Sequence, residues 1–283
     1  MRSPWTTESR DSGGHALDHS PPRSLGEILS PWTILVLAFG CLILDQVLMM
    51  ALWSSGHHAT AITVAGIGGV LVPMALVLRV LGLSWRRELG LHPMRWWEFC
   101  LVATITLGFL PPIYTLDVLS KRIFPPGEAA MEFYSALVPH DLSSWIGGFL
   151  AVVIVGPLAE EILFRGVLLQ LGIRYVTVPV ALAATAVVFG ASHLTLWMLL
   201  PLAALGVVLG IVAWMTRNVT CAWLGHALFN LVAFAEMGWF RDPSSSRLQA
   251  WSRQPELWIP SLGLAIASMM VLARCIRAQR GRI

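Results

Sequence analysis

Apolar stretches of about 20 residues recur along most of this chain, and each is long enough to cross a hydrocarbon layer of roughly 30 Å. A water-soluble core has no use for so many. Only 12% of the 283 residues are charged and 56% are hydrophobic, whereas a soluble domain carries about 25% charge. A helix satisfies its own backbone groups in lipid, so every span is read as helical and the fold class is an all-α membrane protein. Eight spans are expected, over Trp32–Trp53, Ala61–Leu81, Phe99–Leu119, Trp145–Gln170, Thr177–His193, Leu194–Met215, Val219–Phe240 and Leu257–Ile276. The fifth and sixth abut with almost no loop between them.

The segment before the first span, residues 1–30, is rich in Ser, Pro, Gly and charge and lacks the apolar centre of a signal peptide. It is read as a disordered cytoplasmic tail, with residues 31–283 forming the integral membrane domain. Basic residues set the orientation. One side receives Arg2, Arg10, Arg23, Arg79, Arg86, Arg87, Arg95, Arg174, Arg217, Arg274, Arg277, Arg280 and Arg282, thirteen in all. The other receives five: Lys121, Arg122, Arg241, Arg247 and Arg253. Both termini are therefore expected in the cytoplasm, and the expected setting is a bacterial plasma membrane.

A net charge of only +3 with scattered basic residues argues against a nucleic-acid partner. Cys41, Cys100, Cys221 and Cys275 lie in or beside apolar segments without a CxxC pair, which reads as buried reduced thiols. Between spans three and four, Gly127–Val138 is compatible with a short amphipathic helix on the outer interface or with a plain loop. As a helix it would leave Glu128 and Glu132 wet and put Met131, Phe133 and Leu137 against lipid. His57 and His58 are expected in a solvated outer loop. Gly66, Gly68 and Gly69, like Gly206 and Gly210, suit close helix packing.

An ionised side chain inside a span is costly, which makes each one a candidate for function. Span four holds Glu160, Glu161 and Arg165, span five ends in Phe189-Gly190-Ala191-Ser192-His193, and span seven carries His226 and Asn230. Glu161 and Arg165 are at i and i+4, so they share a face and can pair. That leaves Glu160, roughly 100° around the helix, free for other work. His226 and Asn230 share a face for the same reason. Such a set suits water activation: a desolvated Glu as general base, a histidine sharing the proton, and amide and imidazole N–H groups at the developing oxyanion. Glu160, His193 and His226 also form a donor set that could ligate zinc. The residues leave both mechanisms open. A buried structural ion-pair network competes for Glu160, Glu161 and Arg165, and interhelical glue competes for Asn230. Asp45, a lone acid in span one, has no assigned role. Ser192 and His193 are neighbours in a helix and point apart, which is poor geometry for a dyad.

Glu160-Glu161-Ile162-Leu163-Phe164-Arg165 resembles the EExxxR motif of the CPBP intramembrane protease family, also called the Abi or CAAX-protease family. Phe189 through His193 resembles its FxxxH motif and His226 through Asn230 its HxxxN motif, in family order and within the core from about 145 to 240. The resemblance implies an eight-helix bundle around a polar, water-accessible cavity, and an endopeptidase acting near the membrane. It implies Glu160 as the water-activating carboxylate, His193 beside it, His226 and Asn230 at the oxyanion, and Glu161, Arg165 and Phe189 as orienting residues. Implied substrates are bacteriocin-type peptides or membrane-anchored, prenylated CAAX proteins, with membrane lipids as surroundings. A non-catalytic scaffold or bacteriocin-immunity protein of the same fold, and a small proton-coupled transporter, are the competing functions.

Overall fold

The computed structural model describes residues 24–240 and 254–280. Its long helices are α1 (Pro31–Trp53), α2 (His58–Val80), α3 (Trp96–Ile123), α5 (Leu142–Tyr175), α7 (Leu196–Thr216), α8 (Val219–Phe240) and α9 (Pro255–Arg280). Two shorter helices are α4 (Glu128–Ser135) and α6 (Val178–Ala191). Residues 1–23, most of the expected tail, lie outside the described residues, as does the loop bearing Arg241, Arg247 and Arg253. Of the remaining tail, Leu25–Ile28 forms one helical turn, and the Leu25 N–H donates to Glu88 at 2.9 Å. This part is held against the body of the protein and does not trail free.

Among the described residues, seven helices are long and apolar enough to cross a membrane, and the eighth expected span falls on a shorter apolar helix. The exception is α6, whose 14 residues rise only about 21 Å at 1.5 Å per residue. Its packing register shows where it stops. Gly206 of α7 faces Ala186, Gly210 faces Leu182, and Gly190 faces the backbone of Leu199 and Ala203. The two helices are thus antiparallel neighbours, and the first turn of α7 continues past the end of α6. At Gly206 a Cβ would sit 3.0 Å from Ala186 Cα, so a side chain there would have to push α6 back by a few tenths of an ångström. The chain reverses through Leu194 at φ 55°, a left-handed conformation unusual for a residue with a branched side chain.

The level that α6 does not reach is partly covered by α4. Its Tyr134 sits edge-on to Trp197, with ring centroids 6.0 Å apart, and donates to the Met198 sulfur. Its Phe133 stacks on Trp53 at 4.2 Å, so this ring packs on protein where lipid contact was expected. Glu128 and Glu132 are exposed, as an interfacial helix requires. His58 starts α2 and packs against Trp53 at 4.2 Å. All four cysteines are free; Cys41 and Cys221 are buried, but Cys100 is exposed on the outside of the bundle, contrary to expectation.

Helix α5 is central, packed against α1, α2, α6 and α8. It is not a regular α-helix. Phe149–Val155 and Ile162–Leu168 are wide π-helical stretches on either side of Gly156–Glu161. Gly156 donates to Ala151 O and Leu169 to Phe164 O, each five residues back. Pro157 has no N–H to give to the preceding turn, which favours a break in the i→i−4 ladder there. Such widened turns recur at functional sites, because they rotate the side chains that follow and free backbone carbonyls.

Candidate active site

The glutamate pair is divided by burial. Glu161 is fully buried at 0% exposure, whereas the Glu160 side chain keeps 35% of its surface. Arg165 reaches back one turn and places Nη1 2.5 Å from Glu161 Oε1. Its Nη2 donates to Gly206 O at 3.1 Å, and its guanidinium lies 4.7 Å from the centre of the Phe189 ring. An arginine with a carboxylate, a carbonyl and an aromatic face is fully employed, which is what a buried guanidinium requires.

His226 comes to the same carboxylate from α8. Its Nδ1 lies 2.8 Å from Glu161 Oε1. An ionised carboxylate only accepts, so Nδ1 carries the hydrogen and Nε2 is the free end of the ring. That Nε2 lies 3.7 Å from Glu160 Oε2. Glu160 Oε2 is itself enclosed and takes no hydrogen bond from the described residues. His226 therefore stands between the two carboxylates, bonded to the buried one and turned toward the open one.

His193 is oriented in the same manner by a different acceptor. Its Nδ1 is 3.0 Å from Phe189 O, so Nδ1–H donates and Nε2 is again free. Phe189, 0% exposed, separates the two imidazoles: its ring centre is 5.3 Å from that of His193 and 5.6 Å from that of His226. Phe164 packs edge to face against Phe189, with ring centroids 5.2 Å apart. One aromatic side chain thus sets the positions of both histidines and of Arg165.

Asn230 lies one turn beyond His226 and donates from Nδ2 to Val152 O at 2.9 Å. Trp223 Nε1 donates to Ile154 O at 3.1 Å. Both acceptors belong to the first widened stretch of α5, so the interhelical role weighed for Asn230 accounts for one of its two amide hydrogens. Glu160, His193 and His226 do not assemble as a metal site: among the described residues no three His, Cys, Asp or Glu side chains group in a way that could hold an ion. The donor set does not fit zinc.

Sequence reasoning left Asp45 without a role, and the structure brings it to the site. Gly69 of α2 lies directly on its backbone, and Gly66 of the same helix packs against Ala159, the residue before Glu160. The available signal was its position, a charged group deep in an apolar span.

Residues 142–232 match the family model described as Type II CAAX prenyl endopeptidase Rce1-like. No curated protein and no solved structure matches the chain significantly. The matched stretch covers α5 to most of α8 and contains Glu160, Glu161, Arg165, Phe189, His193, His226 and Asn230; Asp45 lies outside it. Over residues 142–232 this multi-spanning membrane protein carries a CAAX-protease/Abi-type, CPBP-related intramembrane peptidase domain.

Proposed function

We propose that the protein is an intramembrane endopeptidase that hydrolyses a peptide bond near the membrane, in a peptide or a membrane-anchored, prenylated protein. The observation that carries this reading is the division of labour between the glutamates. Glu161 binds Arg165 and His226 through one oxygen, Oε1, while Glu160 takes no such hydrogen bond and turns its Oε2 toward the free Nε2 of the same histidine. A purely structural network would engage both carboxylates.

Charge balance supports the chemistry. Glu160, Glu161 and Arg165 together carry one negative charge, and one proton shared by Glu160 and His226 neutralises the cluster where an unbalanced charge is expensive. With the proton on His226, held there by Glu161, the Glu160 carboxylate is free to take a proton from water as the oxygen attacks the scissile carbonyl. The His226 Nε2–H then faces the oxygen that becomes negative, and the second amide N–H of Asn230 is the other candidate donor. We further propose that the site opens to water on the Glu160 side, consistent with the partial exposure of that residue. No step is routed through a metal.

The test is incubation of the purified, detergent-solubilised protein with a library of prenylated and non-prenylated peptides, with new termini read by mass spectrometry. Cleavage that disappears in Glu160→Gln supports the proposal. Absence of cleavage in every arm moves the non-catalytic scaffold ahead of it.

A further inference from the structure

Helix α8 grips α5 at both ends of its first widened stretch. Before the stretch, the Phe234 ring lies over Gly148, where a Cβ would come 2.6 Å from Phe234 Cζ. After it, His226 Nδ1 holds Glu161 at 2.8 Å. Between these two contacts Phe149–Val155 winds with bonds that reach five residues back instead of four. One residue more or less in the turn rotates everything that follows by about 100°. Glu160 faces the free end of His226, at 3.7 Å, only in the phase that the wide turn gives. Its neighbours on the helix show where another phase would put it, since Ala159 and Glu161 are both buried.

The wide turn leaves carbonyls over, and α8 supplies the donors. Gly156 gives its N–H to Ala151 O and Pro157 has none to give, so neither the i+4 nor the i+5 donor reaches Val152 O. Asn230 Nδ2 donates to that carbonyl at 2.9 Å. Two residues on, Ile154 O accepts from Trp223 Nε1 at 3.1 Å. Trp223 and Asn230 are seven residues apart, about two helical turns, so both donors stand on one face of α8 with His226 between them. A carbonyl without a donor is costly inside an apolar bundle, so each of these bonds favours the wide form of α5 over a regular helix. Asn230 already has a place at the oxyanion. Trp223 has no part in the proposed chemistry and lies outside the three motifs.

We infer that Trp223 is a positioning residue for Glu160: its indole N–H holds the first widened stretch of α5 open and so keeps the Glu160 carboxylate turned to His226 Nε2. The consequence for turnover rests on the peptidase reading; the phase of α5 does not. Gly156 belongs to the same device. A Cβ there would come to 3.0 Å from Ala151 O, so a side chain would press on the carbonyl that closes the wide turn. Trp223 thus acts on the base through the backbone of α5, seven residues back along the helix from Glu161 at Ile154, and touches none of the reacting groups.

Shape and hydrogen bond are separated by replacing Trp223 with benzothienylalanine, an isostere that carries sulfur where the indole has N–H. On an S-farnesylated CAAX-type peptide the isostere is expected to lower kcat about five- to tenfold, the effect of one hydrogen bond, with KM unchanged. Trp223→Phe should lose at least as much. A second measurement needs no turnover. In Glu160→Cys, alkylation at position 160 by a small water-soluble thiol reagent, read by mass spectrometry, should slow when Trp223 is replaced by either residue, because one step around the helix takes the position to a buried face. An unchanged alkylation rate overturns the inference. So does a parental kcat, or a loss carried by KM, in the isostere variant of a protein that cleaves the peptide. Failure of both Trp223 variants to run as the parent's monodisperse peak in detergent would make Trp223 a packing residue and overturns it as well. A parent protein that cleaves nothing removes the peptidase reading alone, and the alkylation rate then decides whether Trp223 sets the phase of α5.

Discussion

Glu161 Oε1 accepts from two helices at once, from Arg165 Nη1 at 2.5 Å within α5 and from His226 Nδ1 at 2.8 Å across from α8. One buried oxygen therefore fixes a helix turn, a helix–helix contact and the tautomer of an imidazole. Removing either charged partner leaves the other buried without compensation, which costs about 3–5 kcal/mol. Arg165→Leu and Glu161→Gln are both expected to lower the melting temperature in detergent markedly and to abolish activity. A heat stability equal to the parent's in either variant would show that the pair does not carry the fold.

Glu160 has no such structural duty, since its Oε2 accepts nothing from the described residues. Glu160→Gln keeps the shape and loses the basicity, so it should fold and melt like the parent yet show no turnover. Parental turnover by this variant on a genuine substrate would remove Glu160 as the base.

Asn230 donates to a backbone carbonyl of the widened stretch and retains a second N–H. Asn230→Ala should be slow and still able to bind substrate, with kcat reduced by about 10²–10³ and KM nearly unchanged. A large rise in KM with kcat preserved would point to substrate binding in place of oxyanion stabilisation.

The donor geometry also bears on metal dependence. With Nδ1 of His226 held by Glu161 and Nδ1 of His193 held by Phe189 O, and with no three-ligand group among the described residues, chelators should leave turnover intact. Metal analysis of the purified protein should find well below one zinc per chain. Stoichiometric zinc whose removal stops turnover, restored on adding zinc back, would demand a different arrangement of these side chains.

We propose both termini on the cytoplasmic side, from the thirteen-to-five distribution of basic residues. Reporter fusions after Arg87 and after Arg282 should both report a cytoplasmic location. An external signal from either would reverse the orientation.

Periodicity made much of this protein legible in one dimension. The apolar runs specify membrane helices because nothing else satisfies a backbone in lipid, and seven of them appear at nearly the expected positions. The Glu161–Arg165 pair was readable because residues four apart share a face on any helix. Contacts between helices were not readable, because they depend on which small residues let two backbones approach. The register of α6 on α7 runs through Gly206 and Gly190 and places His193 in the turn between the two helices. The contact at Gly69 lays Asp45 of α1 on α2, whose Gly66 packs against Ala159 beside Glu160, more than 100 residues away in sequence. The widened turns of α5, which turn Glu160 and Glu161 to different surroundings and offer carbonyls to Asn230 and Trp223, have no periodic signature beyond a proline. The types of side chain and their local spacing were set by the sequence alone; the pairing of Glu161 with His226, and not with Arg165 only, was decided by tertiary packing that no helical repeat encodes.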